Sequence, residues 1–296
     1  MLCLGEALVD LVSERYGASL GDADHFRPHL GGALANVAVA CRRAGADAAL
    51  VGGVGDDAWG LRLRDALARE EIELSWLRLV AGTPTGVAFV TFAADGEPAF
   101  DVYGEGIERA MRATEQDLEQ AVAAGAALAF GSNTMVSPTE RALTLRARRL
   151  AVDAGMPVLF DPNLRPTRWA DLDDALRACR EVCEGAFCVR TNRDEARLLT
   201  GEEEPAAGAE ALCGLGAKLA VVTLGEEGAL MRGAACAEMP GVEVDVVSTL
   251  GAGDAFMGAL AAGLAGVGWE AARGAEALPA AVEAGAHACR TWGAWE

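Results

Sequence analysis

Gly251-Ala252-Gly253-Asp254-Ala255-Phe256 opens a run of small residues with helical spacing. Backbone N–H groups at a helix N-terminus form an anion site, and glycines let the anion come close. A carboxylate in the first turn, Asp254, then lies within reach of whatever the anion reacts with, and it could take the proton from an attacking hydroxyl. Phosphoryl transfer asks for little beyond positioning, charge neutralisation and such a base. On this motif alone, an aspartate that merely caps its own helix is an equally good account. Asn192-Arg193-Asp194-Glu195 starts another helix just after an apolar strand, where open α/β sheets place ligands. An N-cap asparagine with a capping-box glutamate explains the same four residues. Gly31-Gly32-Ala33-Leu34-Ala35-Asn36 precedes the first helix; its glycines permit close backbone approach, and Asn36 offers a polyol both a donor and an acceptor. Asp10 ends the first strand and could accept a hydroxyl hydrogen bond.

The elements that must position these groups can be read from periodicity. Leu2 to Val12 reads as a strand interrupted at Gly5-Glu6, and 13–30 as polar and turn-rich. A helix over 34–44 stops at Gly45, a buried strand spans 48–52 and a helix 58–70. After residue 115 strands (126–130, 157–160, 186–190, 219–223) alternate with helices (115–124, 138–154, 173–184, 192–199, 206–215), which argues a mostly parallel sheet covered on both faces. Strands 228–232 and 235–238 read as a hairpin, followed by small-residue helices over 253–265 and 270–290. Strands 86–92 and 99–103, joined through Asp95-Gly96, form a second hairpin that interrupts the alternation. It carries apolar residues on both faces, Val87, Phe89 and Val102, and also Val90, Phe92 and Tyr103. Such a sheet needs cover on both sides: one face could close over a ligand and the other meet a second copy, predicting a homodimer. The alternative is that 13–30 folds over the outer face.

Bulk properties remove several classes. A net charge of −19 repels nucleic acid and anionic membranes, so neither is an expected partner. Lys218 is the one lysine; no G-x-x-x-x-G-K-[ST] loop and no H-R-D motif exists, so any phosphate site is not of the P-loop or protein-kinase kind. No C-x-x-C pair occurs among the 8 cysteines. Cys179, Cys183 and Cys188 cluster, which a metal site or buried thiols in a reducing compartment would explain. His25 and His29 fit an exposed loop better than a metal. The N-terminal residues lack a basic region and a cleavage site, and no apolar run is long enough to cross a bilayer, so a cytoplasmic chain is expected.

Taken together the motifs resemble the ribokinase-like, or PfkB, carbohydrate kinases over nearly the whole length. Residues 31–40 and 250–259 resemble the two family signatures, Asn192 to Glu195 the N-x-x-E magnesium–phosphate motif, and Asp161-Pro162-Asn163-Leu164-Arg165 with Trp169 the D-P-N-x-R stretch of fructokinases and 2-keto-3-deoxygluconate kinases. The resemblance implies a ribokinase-like α/β fold, one domain over 1–296 with lid elements near 10–30 and 85–104 and a nucleotide part near 186–296. It implies ATP and magnesium, with Asp254 as base and the N–H groups of Gly251, Ala252 and Gly253 as anion hole. Asp10, Gly31, Gly32, Asn36, Asn163 and Arg165 would meet the sugar, Asn192, Thr223, Gly225 and Gly228 the nucleotide, and Glu195 the metal. Fructose ranks first as acceptor and 2-keto-3-deoxygluconate second, since an arginine suits a carboxylate and a polyol alike; a ribokinase is a further alternative. The family usually reads Asp-Thr before the anion hole, with the aspartate helping to hold potassium. Here Ser248-Thr249 stands there, and a hydroxyl is the weaker cation ligand. Two rivals come from other classes. Gly53-Val54-Gly55-Asp56-Asp57-Ala58 satisfies a dinucleotide-binding G-x-G-x-x-A with Glu73 at ribose distance, the pattern of an NAD-dependent oxidoreductase; adjacent Asp56 and Asp57 would repel a pyrophosphate. A non-catalytic sugar-binding protein on the same fold would not need Asp254 and Gly253.

Overall fold

In the computed structural model, which describes residues 1–17, 19–94, 96 and 98–295, the first apolar stretch divides between two sheets. β1 (Leu2–Leu4) enters the large sheet and β2 (Leu8–Tyr16) the small one, with β3 (Arg27–Gly31) beside β2. The chain continues through α1 (Ala33–Arg43), β4 (Ala49–Gly55), α2 (Ala58–Arg69), β5 (Leu77–Val80), β6 (Gly86–Phe92), β7 (Pro98–Tyr103), α3 (Glu105–Arg112) and α4 (Leu118–Ala124). The regular part follows: β8 (Leu128–Gly131), α5 (Pro138–Asp153), β9 (Val158–Asp161), α6 (Leu172–Cys183), β10 (Cys188–Asn192), α7 (Arg193–Thr200), α8 (Pro205–Gly214), β11 (Leu219–Thr223), β12 (Ala229–Gly233), β13 (Ala237–Met239), α9 (Ala252–Gly266) and α10 (Leu278–Ala288).

The large sheet has the order β13-β12-β11-β10-β9-β8-β1-β4-β5. β11 through β5 are parallel, and the β12–β13 hairpin is antiparallel at one edge. Alternate residues of each strand feed two cores. Leu4, Phe130, Phe160 and Val189 pack against α3 to α8, and Cys3, Leu50, Leu159 and Val221 against α1, α2, α9 and α10. This is the covered, near-continuously apolar strand pattern of a parallel sheet.

Several expectations need correction. Residues 13–30 are not one polar loop: β2 runs on to Tyr16, β3 adds an edge strand to make a four-stranded sheet β3-β2-β6-β7, and Phe26 packs on Phe89 of the hairpin at 5.1 Å. β3 carries Pro28, whose missing N–H suits an edge. Registers Val87↔Tyr103 and Ala88↔Val102 put Val102 on the inner face with Val90 and Phe92, and Tyr103 outside with Val87 and Phe89. The turn residue Asp95 lies outside the described residues. The expected helix over 270–290 begins as a 3₁₀ stretch, Ala271–Ala277. Pro279 is confined to the first turn of a helix, so α10 starts at Leu278. His29 is no exposed-loop histidine: it is buried in β3, 3.0 Å from Glu14.

Candidate active site

The loops that leave the carboxyl ends of β1, β8, β9, β10 and β11 contribute to one cleft of about 1540 Å³. Taken in sheet order, Thr223 to Gly225 follow β11, Arg190 and Asn192 close β10, Asn163 to Arg165 follow β9, Asn133 follows β8 and Glu6 follows β1. α1 and α9 start at the same edge, and the inner face of the small sheet, with Asp10 and Ala88, roofs one end. Among the expected residues Asp10, Gly32, Asn36, Asn163, Arg165, Asn192, Thr223, Gly225, Gly228 and Gly251 to Asp254 all line this cleft.

Asp254 sits at its centre. Asn36 Nδ2 donates to its Oδ2 at 2.8 Å, and Asn163 Nδ2 to its Oδ1 at 3.3 Å. Asn163 is brought there by an Asx turn: its own N–H donates to Asp161 Oδ1 at 3.1 Å, and its φ of 40° is one asparagine tolerates. Burial, with Asp161 adding repulsion, pushes the Asp254 carboxyl up to about 7 against the pull of Asn36, Arg165 and Arg190. Gly251 at the α9 N-cap has φ 78° and no side chain caps the helix; Ala252 N donates to Thr249 O at 3.2 Å, which leaves the neighbouring first-turn N–H groups to an anion. A Cβ on Gly253 would lie 2.6 Å from Arg190 Nη1. Glycine there lets a buried guanidinium reach the helix start.

Gly31 does not itself line the cleft; its bareness serves Asp10, since a Cβ would lie 2.1 Å from Asp10 Oδ2. The Asp10 carboxyl is raised to about 7 by burial and then by Asp254. The Asn192–Glu195 pair forms a complete capping box. Glu195 Oε2 accepts from Asn192 N at 2.9 Å and Oε1 from Leu164 N at 2.7 Å. With both oxygens engaged by backbone, Glu195 fits a magnesium ion through water rather than directly. Ser248 Oγ accepts from Leu250 N at 3.1 Å and is buried.

Four neighbours escaped the sequence reading. Arg190 pairs with Asp161 at 3.1 Å and donates to Thr223 Oγ1 at 2.7 Å. Burial raises the Asp161 carboxyl against the pull of Arg190. Glu6, Asn133 and Arg168 line the opposite end. A lone arginine in an otherwise apolar strand was the one available signal, and it pointed to Arg190.

The rivals lose their sites. Around Gly55 the space a Cβ would need is filled by Thr83 O at 2.2 Å and Thr85 N at 2.6 Å. Asp57 caps α2 through Trp59 N and Gly60 N and accepts from Thr85 N, so the Gly53–Ala58 turn is packed shut against a dinucleotide. Cys179, Cys183 and Cys188 are buried thiols raised by burial, and among the described residues no cluster of 3 or more His, Cys, Asp and Glu side chains could hold a metal. Among them, too, no helix is long and apolar enough to cross a membrane.

A carboxyl raised to about 7 in the first turn of a helix, at the centre of a cleft of about 1540 Å³, suits a phosphotransferase acting on small hydroxylated molecules. Residues 1–295 match the model of the pfkB family carbohydrate kinases, and the chain belongs to that family. It is 35% identical over 267 residues to fructokinase-1 of Oryza sativa subsp. japonica, covering 88% of this chain and 81% of that one. The fructokinase of Xylella fastidiosa with bound ATP superposes with TM-score 0.84 at 28% identity, covering 100% of this chain and 93% of that one. A double mutant of the Vibrio cholerae O395 fructokinase, in a form binding fructose, ADP and potassium ion, gives TM-score 0.83 at 27% identity, covering 99% and 93%. The ribokinase-like fold and carbohydrate-kinase activity expected from the motifs are thus borne out.

Proposed function

We propose that the chain moves the γ-phosphoryl group of ATP onto a hydroxyl of a ketose, fructose before 2-keto-3-deoxygluconate, with Asp254 as general base. The observation that carries this is the Asp254 carboxyl, lifted to about 7 and held by two asparagines in the first turn of α9. Such a base is half deprotonated near neutral pH, which suits proton transfer from an alcohol. The acceptor oxygen attacks the γ-phosphorus, its proton passes to an Asp254 oxygen, and the bond to the bridging oxygen of the departing ADP breaks. N–H groups at 251–253 take the charge on the transferring oxygens, with Arg190 beside them. Magnesium, when bound, would neutralise the polyphosphate, and Glu195 would hold it through water. Asn192, Thr223, Gly225 and Gly228 flank the polyphosphate, and Val242, Val244, Val246 and Val282 give the base an apolar wall.

On this reading the chain is one domain in which the small sheet is a lid. Its inner face, Val12, Val90 and Phe92, packs on Leu250, Phe100 and Trp292. Its outer face carries Phe26, Phe89 and Tyr103 in edge contacts at 5.1 and 5.6 Å, with Tyr103 63% exposed. A two-fold pairing of lids covers that face and makes a homodimer. Light scattering should report twice 30.5 kDa at micromolar concentration, and Tyr103→Asp should halve it; a monomeric parent chain rules the pairing out. The chemistry is tested by a panel of acceptors with coupled ADP detection. Fructose should lead, and turnover of ribose or adenosine well above fructose and 2-keto-3-deoxygluconate would reject the acceptor assignment.

A further inference from the structure

The acceptor end of the cleft holds polar atoms that no protein group serves. Glu6 is 4% exposed and Asn133 8%. Glu6 Oε1 accepts from Ala33 N at 3.2 Å and from Asn133 Nδ2 at 3.4 Å. Those bonds fix both side chains and leave Glu6 Oε2 and Asn133 Oδ1 without a donor among the described residues. Asn36 repeats the arrangement: its Nδ2 is spent on Asp254, and its Oδ1 has no donor. A buried acceptor without a donor is costly, so three together predict a ligand that supplies donors.

We propose that Glu6 and Asn133 form a hydroxyl-reading subsite that selects a neutral polyhydroxy sugar over a sugar acid. The inference rests on the kinase reading of the cleft. Its geometry follows from α1. Glu6 holds Ala33 at the start of that helix, and Asn36, three residues or about 4.5 Å further along, holds the base. A sugar spanning that distance presents one hydroxyl to Asp254 and others to Glu6 and Asn133. Those hydroxyls donate to the orphaned acceptors Glu6 Oε2 and Asn133 Oδ1, a role that an amide N–H in place of Oε2 cannot fill.

The charges point the same way. Glu6, Asp10 and Asp254 line this end against Arg165 and Arg168. Arg168 Nη1 donates to Asn133 O at 2.8 Å and Nη2 lies 3.9 Å from Glu140. Arg165 lies over the Phe100 ring at 4.2 Å and donates to Leu164 O at 3.3 Å. A sugar carboxylate would add acceptors to a site already short of donors and would face the Glu6 carboxyl, which already draws on the charge of Arg168.

The test compares the unaltered chain with Glu6→Gln, which keeps the shape and loses the charge. With D-fructose, KM should rise at least about tenfold in the variant while kcat stays within about threefold, as loss of an interaction made equally in ground and transition states requires. A KM within twofold of the parent overturns the proposal. Folding is bypassed by a second arm on the unaltered chain. One of the singly deoxygenated fructoses should lose about tenfold in kcat/KM, and 2-keto-3-deoxygluconate should be the poorer substrate by at least as much. Equal or better turnover of the acid overturns the proposal. Absence of turnover with every sugar would instead reject the kinase reading. Calorimetric titration of D-fructose into both chains then still decides the role of Glu6: tenfold weaker binding to Glu6→Gln supports it and equal binding overturns it.

Discussion

Where β1, β8 and β9 end, a ligand meets buried side chains that already hold one another; where β10 and β11 end and β12 begins, it meets glycines, backbone and valines. The first end draws on Glu6, Asn36, Asn133, Asn163 and Asp254, gathered from loops far apart in the chain and linked by hydrogen bonds of 2.8 to 3.4 Å. The second draws on residues 223–228 and 241–246, near neighbours along the chain. Neighbouring strands are roughly 4.8 Å apart, so on the proposed function the row of loops from Glu6 to Thr223 sets acceptor and nucleotide apart by sheet order. Side-chain networks read a particular hydroxyl pattern, because an unmatched ligand leaves them unpaired. Backbone amides accept any polyphosphate. Arg190, pinned between Asp161 and Thr223, stands at the boundary.

The largest break in this contrast should come from Asp254→Asn. Removing a general base costs about 10²–10⁴-fold, so kcat should fall by that factor while ATP affinity, set at the other end, stays nearly unchanged. A variant keeping half its activity would remove the assignment of the base. The same carboxyl sets the pH profile. Below about 7 the protonated base is idle, so kcat should rise with pH and level off above that value.

Stability should run the opposite way at the acceptor end. Asp10 is lifted from its ordinary 3.8 to about 7. Between those values the folded state holds the proton and the unfolded state does not. The group therefore favours folding in acid, and that contribution is lost as pH rises through about 7. Asp10→Asn should then raise Tm by a few degrees, on the order of 2–4 °C per kcal/mol, at pH 8, and by much less at pH 5. It should also weaken fructose binding. Thermal melts at the two pH values decide; a uniform shift would mean the carboxylate is compensated by groups other than those described.

A smaller effect separates the two accounts of Glu195. Glutamine also completes a capping box, so Glu195→Gln should fold normally and raise the magnesium concentration needed for half-maximal rate. An unchanged magnesium titration leaves Glu195 as a cap that shapes the 161–165 loop through Leu164 N.

The same contrast explains what could be read from residues alone. The parallel sheet, the helix starts at 33 and 252 and the glycine-flanked Asp254 were legible because each is a local pattern: apolar runs, caps, a carboxylate in a first turn. Glu6, Asn133 and Arg168 were not. Each lies a few residues past a strand end or in a loop, with no motif, and only the pairing of β1 with β8, Leu4 opposite Phe130, brings Glu6 to Asn133. β3 was hidden because Arg27-Pro28-His29 looks like a loop, and its pairing with β2 is a tertiary fact. The face of Tyr103 depended on a register that a single hairpin sequence leaves open.

The smallest expected effect concerns potassium. The loop ahead of the anion hole is held by the chain itself. Val247 N and Ser248 N both donate to Cys289 O, at 2.8 and 3.1 Å, Ser248 Oγ takes Leu250 N, and the Tyr16 hydroxyl of the small sheet donates to Val247 O. Ser248 carries no charge, and its oxygen is already engaged, so a monovalent cation gains little there. An ion without preference for the active arrangement shifts nothing. Replacing potassium by sodium or choline at constant ionic strength should therefore change kcat/KM by less than about twofold. Ser248→Asp restores a carboxylate beside the same carbonyls and should make the rate respond to potassium; a parent chain already stimulated tenfold would show that carbonyl oxygens alone hold the ion, and that the nucleotide end has a fixed cation as well as backbone.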